Sequence, residues 1–395
     1  DRADRSVPLG HSLEHFAGHF YIQEASSMIP PVVLDPQPGE RVLDLAAAPG
    51  SKTTQIAGMM HNTGLVVAND SSVPRLKALT ANLERIGTIN TVITQLAGQR
   101  LGRFAAGQFD RVLIDAPCTA EGTIAKSPEA LHRWSENAIR KLSTIQSKLL
   151  AGAYQALKPG GTLVYSTCTF APEENEAVVD GFLRVHPEAD VLAFDLPGLS
   201  LAPGLTAWEG VSFDARLAHT RRVWPGAEPM EGFFIAKLHK PEGAPVEEGG
   251  RPFADRRYGD TTEDAAEWLG DRFGFTSGDE VWRTKDSDRW VMTAEASAFD
   301  RLPIIRRGLR AARTVRGGFK PTTDYLQLIG ATIESNRLTL DAKATRQYLR
   351  GEDVEVHTGR GYIALEHDGI VFACGLGQED RIKNQLPVSR RIGVR

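Results

Sequence analysis

The sequence predicts a doubly wound α/β domain followed by two smaller units, and three observations carry that expectation. Short apolar runs over 42–45, 65–68, 92–96, 112–114, 163–166 and 232–238 are interleaved with helical patterns, which is how a parallel sheet covered by helices reads. The first run opens into a loop of small residues and then a helix, RVLDLAAAPGSK over 41–52. Composition changes at KPEGAPVEEGGRP, 240–252, where Pro, Gly and Glu mark a linker.

In chain order, a lead-in with amphipathic character runs to Pro31, and Pro30-Pro31 predicts that its short helix stops before them. A helix over 53–60 follows the small-residue loop. The next helix has Pro74 in its first turn, Leu76, Leu79, Leu83 and Ile86 on one face, and Gly87 as its stop. A long helix over 139–157 is expected, with Ser135 as its cap, and Gly160 and Gly161 form the turn into the fifth strand. Beyond the linker, an acidic helix over 262–273 and a basic segment to Lys320 make one unit. The last unit is β-rich, with strands around 327–333, 353–356, 361–365 and 370–375.

With 395 residues and a net charge of -4, the chain reads as a soluble globular protein of two or three domains and not as a uniformly basic nucleic-acid binder. The charge is uneven, however. Arg301, Arg306, Arg307, Arg310, Arg313, Arg316 and Lys320 occur with no acid among them, and Arg381, Lys383, Arg390, Arg391 and Arg395 repeat the pattern in the tail. Such clusters either form a solvated face or neutralise phosphates. Three cysteines, none in a C-x-x-C pair, argue against disulfides and a structural metal, so a reducing cytoplasm is expected. No membrane-length apolar run or signal peptide is present. The sequence begins at Asp1 and not at Met, which predicts that native residues precede it.

The loop at 46–52 is built to bring a ligand close to a helix N-terminus. A Walker phosphate loop needs Gly where Ser51 stands, and a dinucleotide fingerprint needs three spaced glycines where only Gly50 is found. An S-adenosylmethionine site of the Rossmann type, which holds no pyrophosphate, needs only small residues there. Asp70 ends the second strand, where it can accept from ribose hydroxyls or, with Ser71 and Ser72, cap the next helix.

Two stretches deliver a cysteine to a strand end, where chemistry sits in open α/β sheets. RVLIDAPCTAEG, 111–122, carries Asp115 and Cys118; PGGTLVYSTCTFAPEENE, 159–176, carries Cys168. A single such cysteine is usually a small buried apolar residue. Two at matching positions point to nucleophilic chemistry.

The stretches YIQEASSM, LDLAAAPGSKTTQIA, FDRVLIDAPCTAEG, GGTLVYSTCTFAPEENEAVV and EGFFIAKL, in that order, resemble the Sun/Fmu-type RNA 5-methylcytosine methyltransferases. YLRGEDV and GLGQEDRIKNQLPVSRRI resemble the PUA-like tail of the bacterial ribosomal RNA members. The resemblance implies a class I methyltransferase domain over 1–240, a linker over 241–252, a basic intermediate domain over 253–320 and a PUA-like RNA-binding domain over 321–395, with a further domain ahead of Asp1. It implies that Ala46, Ala47, Ala48, Pro49, Gly50, Ser51 and Lys52 contact S-adenosylmethionine, that Asp70 holds its ribose, and that Asp115 lies between cofactor and base, with Lys52 close to the target nucleotide.

Which cysteine attacks is left open by the residues alone. In DNA cytosine methyltransferases it is the Pro-Cys cysteine, here Cys118; the RNA family implies attack by Cys168 and release assisted by Cys118. One departure stands out: Ala97 occupies the place of an acid beside the adenine, so that contact is either lost or supplied by Gln95 or Gln99. The implied partner is small-subunit ribosomal RNA, naked or within the 30S subunit, bound by a monomer without DNA, metal or membrane. Two other readings stay open: methylation of transfer RNA, and an RNA-binding assembly factor with weak or no methyl transfer.

Overall fold

The computed structural model describes residues 8–226, 230–246, 249–253 and 257–392. The start of the lead-in, positions 247–248 of the expected linker and Arg395 of the basic tail lie outside the described residues.

The large sheet is built on β1 (Arg41–Asp44), β2 (Leu65–Asn69), β3 (Thr91–Thr94), β4 (Phe109–Asp115) and β5 (Leu157–Thr167), all parallel, with β6 (Phe233–His239) antiparallel beside β5. Their order is β3-β2-β1-β4-β5-β6 within a ten-stranded sheet. These strands read as unbroken apolar runs because helices cover both faces; every residue of β2 is buried. The chain reverses direction of build between β1 and β4, so the crevice outside their carboxyl ends is where a ligand can enter.

Helices α1 (Ala25–Leu34), α2 (Ser51–Met59), α3 (Val73–Ile86), α4 (Glu136–Ala156) and α5 (Glu176–Val185) flank the sheet. In α3, Leu76, Leu79 and Leu83 are buried and Gly87 ends it in the left-handed region, as the spacing predicts. Ser135 caps α4 by accepting from the Ala138 N–H.

α1 corrects the sequence reading, because Pro30 and Pro31 lie inside it. Each proline costs about 3 kcal/mol through its missing N–H and ring clash. Burial of Ile29, Val33, Leu34 and both prolines outweighs this, at roughly 1.5–3 kcal/mol for each large side chain. Gly160 and Gly161 lie within β5 and not in a turn before it: Gly160, at φ 78°, opens an irregularity in the pairing with β4. Across it, the Gly160 N–H donates to the Lys240 carbonyl at 2.7 Å.

The 240–252 stretch is not a free tether over its described residues. Lys240 is buried and its Nζ donates to the Tyr154 and Leu157 carbonyls at 3.2 and 3.0 Å, while the Gly250 N–H donates to Arg103 at 2.8 Å. Beyond it, a helix (Asp264–Phe273) accompanies a four-stranded antiparallel sheet over 281–321. From the same region, Ile304–Arg307 crosses back and pairs antiparallel with β3, joining the large sheet. That crossing explains part of the basic run: Arg306 and Arg307 are buried, Arg306 on Glu84 at 2.6 Å and Arg307 on the Ala296 carbonyl at 2.6 Å. They belong to the core and not to a phosphate-binding face.

The last unit holds a five-stranded sheet over 337–384. The expected strand at 327–333 is instead the end of a helix (Thr323–Leu328) and a 3-10 turn (Gly330–Thr332). Thr322 caps that helix by accepting from the Tyr325 N–H, so local polar chemistry overrides the β-branched content.

Candidate active site

The loop after β1 is held open by backbone contacts. Ala47 N–H donates to the Asn69 carbonyl at 2.8 Å, Asn82 Nδ2 to the Pro49 carbonyl at 2.9 Å, and Arg75 reaches the Ala48 carbonyl. Gly50, at φ 110°, starts α2 with no side chain capping it; a Cβ here would stand 2.9 Å from Leu79 Cδ1. The result is a cradle lined by Ala47, Ala48 and Gly50 in front of unfilled helical N–H groups.

Asp70 faces this cradle from the end of β2. It is 3% exposed; Oδ1 accepts from the Ser72 N–H at 2.8 Å, so the capping role is real. Its Oδ2 has no hydrogen-bond donor, with only the Arg75 guanidinium at 3.3 Å. An acceptor buried in this way fits a ligand hydroxyl. The residues present therefore suit the adenosyl part of S-adenosylmethionine. Of the two glutamines expected beside Ala97, Gln95 is next to the cradle, 3.4 Å from the Ser71 carbonyl, whereas Gln99 lines a cavity with Lys148 and Tyr154 beside α4.

Sequence reasoning missed Asn69. Its amide binds the carbonyls of Leu45 and Leu96 at 3.0 Å, and its Oδ1 accepts from Thr94 Oγ1 at 3.0 Å and the Leu96 N–H at 2.9 Å. One side chain thus ties the ends of β1, β2 and β3. Beneath the loop, Asp44 is fully buried and accepts from Thr53 Oγ1 at 2.7 Å. Burial pushes its carboxyl up from 3.8 to about 7, against the opposing pull of Thr53 and Lys52. A folded-state value above the unfolded one means that Asp44's contribution is fully present below its unfolded value and is lost as pH rises through about 7. Asp44→Asn keeps the acceptor for Thr53. It is expected to gain on the wild type by a few kcal/mol, at most about 4, between about pH 4 and about pH 7 in denaturant melts. A pH-independent difference would contradict this.

The candidate reactive side chains lie at the ends of β4 and β5. Lys52 Nζ donates to Asp115 Oδ2 and to Ser27 Oγ, both at 2.7 Å, and stands 5.5 Å from the Phe233 ring. Ser166 Oγ donates to Asp115 Oδ1 at 3.0 Å. The Pro-containing α1 is what places Ser27. The thiols of Cys118 and Cys168 are partly exposed and 3.3 Å apart. The hydrogen bond to Cys168 and then burial hold the Cys118 thiol well above its usual range.

A polar latch joins the two cysteine loops. Glu174, fully buried, accepts from Thr119 through both its N–H and its hydroxyl, and from Gln146 Nε2 at 2.8 Å. Thr119 Oγ1 meets Thr169 Oγ1 at 2.8 Å, so the residue after each cysteine touches its counterpart. Asn175 Nδ2 donates to the Thr169 carbonyl at 3.0 Å, and the Gly122 N–H donates to the Cys168 carbonyl at 2.9 Å. Burial raises the Glu174 carboxyl above its ordinary value. Neither Glu174 nor Asn175 stood out as a site residue. The available signal was the polar run after Cys168, whose burial depends on partners far away in sequence.

This sheet order, with a small-residue cradle after β1 and an acid with an unfilled acceptor after β2, defines a Rossmann-like methyltransferase that uses S-adenosylmethionine. Comparison with known proteins gives the family. A model of the 16S rRNA methyltransferase RsmB/F family matches residues 31–239, and one of the methyltransferase RsmF PUA domain matches residues 335–392. Ribosomal RNA small subunit methyltransferase F of Vibrio cholerae serotype O1 (strain M66-2) is 36% identical over 398 residues, covering 98% of this chain and 82% of the relative. A crystal structure of a methyltransferase homolog protein from Pyrococcus horikoshii is 38% identical at a TM-score of 0.54, over 60% of this chain and 73% of that one. NSun6 from Pyrococcus horikoshii with SFG is 31% identical at a TM-score of 0.50, over 59% of this chain and 56% of that one. The chain belongs to the 16S rRNA methyltransferase RsmB/F family, and S-adenosylmethionine is its methyl donor.

Proposed function

We propose that this protein methylates carbon 5 of cytosine in small-subunit ribosomal RNA through a covalent adduct on Cys168. The observation that carries this reading is the pair of thiols 3.3 Å apart beside the Lys52–Asp115 pair, at the carboxyl edge of the sheet.

Carbon 5 of cytosine is a weak nucleophile. Attack of the Cys168 thiolate at carbon 6 forms an S–C bond and moves the ring electrons toward carbon 5, while nitrogen 3 takes a proton. Asp115, held by Ser166 and Lys52, is the group that directs a proton to nitrogen 3. S-adenosylmethionine, held by the 46–52 cradle and Asp70, supplies the methyl group that carbon 5 acquires. The carbon 5 proton then passes to solvent, its C–H electron pair closes the 5,6 double bond, the carbon 6–sulfur bond breaks with its pair leaving on Cys168, and nitrogen 3 gives back its proton. The Cys118 thiol, raised above its usual range by its neighbour and by burial, lies 3.3 Å from Cys168, close enough to assist release while Cys168, the nucleophile in the resembling RNA family, carries the adduct.

The ribosomal target follows what the relatives are named for. A cavity of about 270 Å³ lined by Arg310, Arg313, Lys320 and Arg390, with Asp324 the acid among its lining residues, supports a grip on phosphates beside the C-terminal unit. We take the units as 1–240, 241–252, 253–320 and 321–395, with Ile304–Arg307 lent to the first, and the protein as a cytoplasmic monomer. No helix among the described residues is long and apolar enough to cross a membrane.

Labelled methyl transfer to naked 16S RNA, 30S subunits and transfer RNA tests the reading. Label in 16S-derived 5-methylcytosine is expected. Label only in transfer RNA would move the substrate, and tight RNA binding without label would make the protein an assembly factor. For the cofactor, Asp70→Asn keeps the cap on Ser72 and removes the charge, so affinity for S-adenosylmethionine in calorimetry should fall about tenfold. Unchanged affinity would remove Asp70 from the cradle.

A further inference from the structure

Tryptophan is the side chain with most to gain from burial, and the chain holds six. Trp282 and Trp290 are 3% and 8% exposed, and Trp268 packs, partly buried, against the cluster that holds Trp282. Trp134, Trp208 and Trp224 are 44%, 41% and 41% exposed. All three connect to the same loop, the one that follows Cys168.

Trp134 Nε1 donates to Glu121, whose other oxygen accepts from Thr169 Oγ1 and from the Phe170 N–H, both at 3.2 Å. Trp208 Nε1 donates to Glu173 at 3.1 Å, one residue before the latch carboxylate Glu174. Trp224 stacks on Phe170 with centroids 5.0 Å apart and planes 13° from parallel. Its neighbour Arg222 donates to the Phe170 carbonyl at 3.0 Å. Trp208 and Trp224 are fixed to this loop directly and Trp134 through Glu121, each by one edge or one face, while much of each ring's surface stays in water.

The chemistry of the reaction says what such surface meets. A cytosine that must bring carbon 6 to Cys168 has left its stack, and its neighbours in the strand lose a stacking partner at the same moment. Aromatic faces beside the site replace that partner without reading sequence, because every base has a π-face.

We propose that Trp134, Trp208 and Trp224 form stacking platforms for the unpaired nucleotides flanking the target cytosine. The proposal rests on the RNA-methyltransferase reading above. It makes these residues determinants of RNA binding and gives them no part in the chemical step.

The test uses the full chain with small-subunit ribosomal RNA and three single variants, Trp134→Leu, Trp208→Leu and Trp224→Leu, each beside the corresponding Phe variant. Each Leu variant should raise KM for RNA by about five- to a hundredfold, and the Phe variant should recover most of that loss. Affinity for S-adenosylmethionine should be unchanged in calorimetry. In the wild type, a single-stranded RNA oligonucleotide should quench tryptophan fluorescence, and the same sequence in a duplex should not. An active wild type whose Leu variants keep KM, or whose fluorescence ignores single strands, overturns the platforms. A KM effect on assembled subunits that is absent on naked RNA also overturns them, by assigning the tryptophans to a protein partner. A wild type that methylates no RNA fails the functional reading instead, and single-strand quenching still reports on the platforms.

Discussion

Cys168→Ala is expected to lose methyl transfer by on the order of a thousandfold or more, the scale of removing a covalent nucleophile. Cys118→Ala is expected to do something different. It leaves attack and methylation possible and slows release, so protein and RNA should run together on a denaturing gel when S-adenosylmethionine is present. The asymmetry follows from geometry and charge together. The two sulfurs are 3.3 Å apart, so both reach one position in the reaction, and the Cys118 thiol is raised above its usual range by its neighbour and by burial. If both variants lost activity equally and neither trapped RNA, the division of labour between the thiols would be wrong. If Cys168→Ala trapped the adduct, the roles would be exchanged.

The second large effect is on stability. Glu176 and Arg222 form an ion pair with side chains 0% and 2% exposed, and Arg222 also holds the Phe170 carbonyl behind the catalytic loop. Removing one partner of a fully desolvated pair leaves a buried charge and costs about 3–5 kcal/mol. Glu176→Ala is therefore expected to lower the midpoint of thermal unfolding by many degrees. Replacing both residues with apolar side chains of similar size should recover much of that loss, because no charge is then left unpaired. The double variant should still be impaired in RNA methylation, since the Phe170 carbonyl and the stacking of Trp224 lose their anchor. A single variant as stable as the wild type would show that water reaches the pair.

The placement of the candidate site residues was legible in the sequence because its signal is local. A strand end, a small-residue loop and an acid after the second strand are set by neighbours in the chain, and Lys52, Asp70, Asp115, Cys118 and Cys168 all sit at such positions. What holds them was not legible. Asn69 joins three strand ends, and Glu174 reaches Thr119 across 55 positions, so their roles exist only once the sheet has formed. The same distance effect explains the misread elements. Pro30 and Pro31 stay helical because the core packs against them, and Ile304–Arg307 becomes an edge strand beside β3, which lies more than two hundred residues earlier in the chain. Arg306 and Arg307, part of a basic run that the sequence left open between a solvated face and phosphate neutralisation, are internal, since charge in a sequence says nothing of whether Glu84 lies opposite.

The most direct test of the central claim is to digest the trapped Cys118→Ala complex with nuclease and protease and to sequence the cross-linked peptide by mass spectrometry. A methylated cytidine adduct on the peptide containing Cys168 is the predicted result. An adduct on any other residue, or RNA methylated without any adduct forming, would contradict covalent catalysis by Cys168.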